Sequence, residues 1–221
     1  MIKTQYQVQT LLETFRRIDS GEIHIPSFQR PFVWGKKEII KLLDSIYKGL
    51  PIGTLIFLRT REKNLNCSDD DFISTSSYQD HNTYWYVIDG TQRLQVLYHC
   101  LHSNHAHKDS RFWVGFDLNK ETFIHLKKAD NLAEVIVLSS LFSSEEIIKK
   151  QISLSSKENN QYLLKTLNKL VSAFVEYQLL VITMDEDNLT KEEIVTIFER
   201  INSIGISLSE EEILRAKQVN T

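Results

Sequence analysis

A run of β-branched and aromatic residues, Tyr84-Trp85-Tyr86-Val87-Ile88, leads straight into Asp89-Gly90 and then into a helical pattern, Leu94, Val96, Leu97, Cys100 and Leu101. The first stretch suits a buried, pleated strand and the Asp-Gly pair suits a tight turn. Strand, turn and helix therefore follow one another with no linker. The segment YVIDGTQRLQVL puts Asp89, Gly90, Thr91, Gln92 and Arg93 where backbone amides open a helix. Those amides and the helix dipole favour an anion, Gly90 lets a ligand approach the backbone, and Arg93 adds a bidentate phosphate donor. A phosphate site is one reading; Asp89 capping a helix with Arg93 solvated in its first turn is the other.

Around this unit the periodicities alternate between strand and helix. Val8, Leu11, Leu12 and Phe15 recur at helical spacing and predict an amphipathic first helix that ends at Ser20-Gly21. Short strands are predicted at 23–25, at TLIFL (54–58) and at LLVITM (179–184). Ile39, Ile40, Leu42, Leu43 and Ile46 predict a helix over 36–47, stopped by Gly49 and Pro51. RFWVGFDL and ETFIHL read as a hairpin across Asn119-Lys120, and 158–177 as a long helix. Capping boxes, Thr190 with Glu193 and Ser209 with Glu212, start two more helices. The polar stretch 60–83 reads as a surface loop. The chain is thus a mixed α/β protein.

Lys and Arg total 26 against 29 Asp and Glu, a formal net charge of −3, so no global basic field marks the chain for nucleic acid and any DNA contact must be local. Cys67 and Cys100 have neither metal-ligand spacing nor the look of a disulfide framework, which fits a reducing cytoplasm. The N-terminus lacks the apolar core of a signal peptide or membrane span, so no membrane partner is expected.

Two further strings carry chemistry. In IPSFQRPFVW, Pro26 and Pro31 hold Gln29 and Arg30 in an extended loop anchored by Phe28, Phe32 and Trp34. A pre-set arginine loses less entropy on gripping a phosphate or base, although a structural turn with the arginine paired to a carboxylate accounts for the same residues. In FERINSIGISLSEEEILRA, Glu199 and Asn202 offer hard oxygen ligands suited to Mg²⁺ on a triphosphate, and Arg200 offers a phosphate contact; a charged helix end before Gly205 is the alternative. His99, His102, His105 and His107 cluster, but no cysteine or acidic residue completes a metal set.

IPSFQRPFVW, KGLPIGTLIF, VIDGTQRLQVLY and FERINSIGISLSEEEILRA, in that order, resemble the N-terminal domain of GmrSD-type restriction endonucleases and SspE-like phage-defence proteins, itself similar to the ParB/sulfiredoxin fold. The resemblance implies one domain over 1–221, with a nucleotide-binding core at about 20–130 and 178–217 and a helical insertion at about 132–177. It implies a sensor that binds and hydrolyses a nucleoside triphosphate with Mg²⁺ and is coupled to modified DNA. The nuclease would be a further domain or a partner subunit, and a homodimer is compatible with this. The family's DGQQR motif falls on Asp89, Gly90, Thr91, Gln92 and Arg93, with Thr91 in place of the usual glutamine. Asp89, Gln92 and Arg93 would then be catalytic. Gln29, Arg30, Gly90, Thr91, Gln92, Arg93 and Arg200 would bind the nucleotide, and Glu199 and Asn202 the metal. A non-catalytic module that reads modified DNA through the same arginines remains the alternative.

Overall fold

The computed structural model describes residues 2–26, 28–61, 83–102, 109–128, 132–185 and 189–203. The second predicted capping box, at Ser209, most of the 60–83 segment and His105 and His107 lie outside them. The chain divides into two compact units, residues 1–188 and 189–221.

The first unit opens with β1 (Lys3–Thr10) and α1 (Leu11–Asp19), so the predicted N-terminal helix is half strand. KTQYQVQT alternates with period two and pairs along its whole length with the strand at 178–185, and that ladder outweighs the chance helical spacing of Val8. Thr10 sets the boundary. Its hydroxyl accepts from the Glu13 amide at 3.2 Å while its own amide donates to the Glu13 carboxylate at 2.7 Å, a reciprocal cap that starts the helix at Leu11.

Next come β2 (Ile23–His24), α2 (Lys36–Tyr47), β3 (Leu55–Thr60), β4 (Tyr84–Asp89), α3 (Thr91–Leu101), β5 (Val114–Asp117) and β6 (Thr122–His125). All of these were legible in the periodicity. The chain continues with β7 (Val135–Val137), α4 (Ser144–Ser155), α5 (Asn160–Val175) and β8 (Gln178–Asp185). β7 and α4 lie within the stretch predicted as a helical insertion; β7 is a strand because it pairs with β5, a contact that only the fold supplies.

β1, β8, β3, β4 and β2 form one sheet in that order; β1–β8 and β3–β4 are antiparallel, β8–β3 and β4–β2 parallel. β6, β5 and β7 form a second, antiparallel sheet. Cross-strand register puts Leu179, Val181, Leu55, Phe57, Val87 and Trp85 in one core with Phe15 and Ile18 of α1, Leu43 and Ile46 of α2, Leu94 and Leu97 of α3, and Leu167 and Leu170 of α5. Each such aliphatic side chain taken from water contributes about 1.5–3 kcal/mol. This core fixes the end of β4 and the start of α3, and hence the loops around them. No helix of the described residues is long and apolar enough to cross a membrane.

The second unit contains α6 (Lys191–Ser203). Its predicted capping box is formed: the Thr190 amide donates to the Glu193 carboxylate at 2.8 Å, and the Glu193 amide to the Thr190 hydroxyl at 3.2 Å.

Candidate functional site

β4 ends at Asp89, and Gly90 turns the chain with φ +94°, left-handed backbone that a side chain would strain. A Cβ there would lie 2.4 Å from Leu55 Cδ2, so close packing also demands glycine. Gly90 has no side chain with which to cap α3. The amides of Thr91, Gln92 and Arg93 therefore open the helix with no acceptor inside it, Leu94 being the first to donate back, to the Gly90 carbonyl at 2.9 Å. Asp89 does not cap the helix.

The three side chains that follow join this turn to two other loops. Gln92 is buried; its Oε1 accepts from the Val33 amide at 2.9 Å and its Nε2 donates to the Pro31 carbonyl at 3.2 Å. One carboxamide thus satisfies a donor and an acceptor on the 31–33 backbone, which fixes its orientation. Gln29 returns the contact, its Nε2 donating to the carbonyls of Val87 at 3.0 Å and Ile88 at 3.2 Å on β4. Arg93 donates from Nη1 to the Ile52 carbonyl at 2.8 Å and from Nη2 to Asp89 at 3.0 Å. Its side chain is 17% exposed against 38% for that of Asp89. Among the described residues these two bonds use two of the guanidinium's five N–H groups.

Gly53 completes the packing. Its φ of +88° needs glycine, and a Cβ on it would stand 2.3 Å from Arg93 Nη1. Neither Gly53 nor the Ile52 carbonyl was singled out in the sequence. The available signal was KGLPIGTLIF itself, whose Pro-Ile-Gly turn carries a glycine with no helix or hairpin to explain it.

Arg30 is exposed and has no hydrogen-bond or ion-pair partner among the described residues, so its charge is available beside the Gln92–Pro31 contact. Thr91 is buried at the first position of α3, and its Oγ1 has no hydrogen-bond partner among the described residues. Arg111 is a cation that sequence reasoning missed: it lies 4.9 Å over the Phe32 ring, donates to the Trp34 carbonyl at 3.5 Å and pairs with Asp109 at 2.7 Å. RFWVGF displays that arginine beside aromatics, but only the fold sets it against Phe32.

Glu199, Arg200 and Asn202 lie on α6. Glu199 and Asn202 are three residues apart and share a face of the helix. The Asn202 Nδ2 donates to the Phe198 carbonyl at 2.9 Å. His99 stacks on Phe112 at 4.6 Å and His102 pairs with Asp19 at 3.2 Å. No group of three or more metal-ligating side chains occurs among the described residues. Burial pushes the Cys100 thiol well above its usual range, and the residue is structural.

The family described as "GmrSD restriction endonuclease, N-terminal domain" matches residues 11–218. An uncharacterised protein of Methanocaldococcus jannaschii is 22% identical over 245 aligned positions, covering 98% of this chain and 42% of that protein. The chain therefore spans less than half the length of the curated relative it matches.

Proposed function

The chain belongs to the GmrSD restriction endonuclease N-terminal domain family, and on that premise we propose that it binds and hydrolyses a nucleoside triphosphate as the sensor domain of a modification-dependent restriction or anti-phage system. The observation that carries this reading is the uncapped first turn of α3, with the Arg93 guanidinium braced beside it by the Ile52 carbonyl and Asp89. Oriented amides and a held arginine suit a phosphate chain, because neither pays much to reorganise when the charge arrives. In this proposal the amides of Gly90, Thr91 and Gln92 and the N–H groups of Arg93 hold phosphate oxygens. Asp89, the more exposed of its ion pair, orients the attacking water. That water adds to the γ-phosphorus as the β–γ bridging oxygen leaves, giving the diphosphate and inorganic phosphate.

Arg30 supplies a second cation, and Gln29 and Gln92 keep the loops in register around it. The triphosphate would carry Mg²⁺; on α6, one carboxylate and one amide oxygen, those of Glu199 and Asn202, match that ion's preference, and Arg200 matches that of a phosphate. The metal would neutralise charge on the phosphates. The ParB/sulfiredoxin likeness of the core, the coupling to modified DNA and a cytoplasmic location belong to the same proposal.

The test is a thermal melt with each nucleotide and Mg²⁺, followed by phosphate release with and without DNA. A ligand at a hundred times its dissociation constant stabilises the fold by roughly 2.7 kcal/mol, which raises the melting temperature by several degrees. Arg30→Ala should keep the unliganded melting temperature and lose the shift, since Arg30 is exposed. DNA affinity with no nucleotide shift and no turnover would instead identify a module that reads modified DNA without catalysis.

A further inference from the structure

Among the described residues β1 is an edge strand of the five-stranded sheet, and every second residue along it directs its N–H and C=O away from β8. Natural sheets blunt such edges with short strands, proline, bulges or charge. The opposite edge of the same sheet is blunted in this way: β2 is two residues long and Pro26 follows within two positions. β1 has none of these devices over most of its length. It runs for eight residues in unbroken register with β8, and from Thr4 to Thr10 it carries neither charge nor proline.

Those seven residues, Thr-Gln-Tyr-Gln-Val-Gln-Thr, are a palindrome in side-chain kind about Gln7. Set antiparallel against itself, the strand pairs Thr4 with Thr10, Gln5 with Gln9, Tyr6 with Val8, and Gln7 with Gln7. On the exposed face the cross-strand pairs are then hydroxyl with hydroxyl and aromatic with β-branched; Gln5, Gln7 and Gln9 share the other face, where Gln9 is buried and Gln5 and Gln7 already donate to Asp185 and Thr183. Hydroxyl pairs and aromatic–β-branched pairs set directly opposite each other stabilise a sheet. Tyr6 is 74% exposed and Val8 55%, and Leu180, directly opposite Val8 on β8, is 48% exposed. Two-fold pairing brings both copies of this apolar patch together on one face of a continuous sheet.

We propose that β1 is a dimerisation edge whose occupant is β1 of a second copy of this chain, antiparallel and centred on Gln7. A two-fold contact must be self-complementary, and the palindrome about one residue meets that requirement. A single pair of strands with a small apolar patch falls among the smaller, transient interfaces, so the dimer forms with concentration.

The experiment is light scattering or sedimentation of the full chain from about 1 to 200 μM. The mass should rise from the monomer value towards twice it. Gln7→Lys and Gln7→Glu each set like charges against each other on the two-fold axis and should each weaken the dimer at least tenfold. An equimolar mixture of the two should recover it. Tyr6→Lys, at a site exposed enough to spare the fold, should also weaken it, and melting curves of all variants check folding. Under oxidation in a Cys67→Ser background, Gln7→Cys should form a covalent dimer and Gln5→Cys should not, since residues 5 of the two copies stand four positions apart, about 13 Å. A chain that is monomeric throughout, a dimer indifferent to Tyr6→Lys, a mixture that stays monomeric, or equal cross-linking at positions 5 and 7 would overturn the proposal.

Discussion

Arg93 makes two contacts in this structure, to the Ile52 carbonyl and to Asp89, and the first can be tested by mutation. Its hydrogen bond to the Ile52 carbonyl holds the 51–54 turn, so Arg93→Ala leaves a part-buried acceptor without its donor. The expected loss of stability is about 1–3 kcal/mol, read as a lowered melting temperature or urea midpoint. Gly53→Ala should produce a comparable loss with the arginine still present, because the added methyl meets Nη1 at 2.3 Å in backbone with φ +88°. If Gly53→Ala melts like the wild type, the contact between these residues does not brace the turn. Gln92→Glu tests the neighbouring clamp. A carboxylate accepts from the Val33 amide but has no proton for the Pro31 carbonyl, so this variant should be destabilised where an exposed Gln→Glu change would be neutral.

Among the elements, the β5–β6 hairpin is tied to two helices through one carboxylate. Glu121, at φ +49° in the hairpin turn, accepts from the Tyr47 hydroxyl of α2 at 2.5 Å and pairs with Lys169 of α5 at 2.9 Å. The Tyr47 hydrogen bond and then the Lys169 ammonium pull its pKa down to about 2. A carboxyl depressed on folding adds stability that is fully present above its unfolded value of about 4.3 and is lost as pH falls towards 2. Glu121 is about a third exposed, so solvent screens the pair and the effect is modest. The wild type should therefore melt above Glu121→Gln at pH 6, with the gap closing by pH 2. A gap independent of pH would mean that the loss comes from packing alone.

At the scale of the whole molecule, nucleotide binding and nuclease action should part company. The 221-residue chain carries no recognisable nuclease histidine-metal constellation in its sequence. We expect it to leave plasmid DNA intact with Mg²⁺ or Mn²⁺, whether or not the DNA is modified. Reproducible nicking by the pure chain that responds to its mutation would overturn this. Phosphate release that depends on Arg30 and Arg93 and is altered by DNA is the matching positive result. Asn202→Ala separately tests the Mg²⁺ proposal on α6: it should weaken Mg²⁺ binding read by titration calorimetry and leave the melt without metal unchanged.

The sequence alone determined the strand, turn and helix around Asp89-Gly90 and the start of α6, because each depends on local chemistry: β-rich residues, a glycine at positive φ, a Thr–Glu cap. It also marked IPSFQRPFVW, KGLPIGTLIF and VIDGTQRLQVLY as segments that matter. Only the tertiary structure decided how they matter to one another. Gln92 reaches back 61 residues to the Pro31 carbonyl and Arg93 reaches 41 to that of Ile52, and no periodicity encodes a bond between a side chain and a distant backbone carbonyl. β1 shows the same division. Its alternation was present in KTQYQVQT, but at eight residues a strand and a helix turn compete closely, and the choice fell to the ladder that β8 supplies from about 175 residues away.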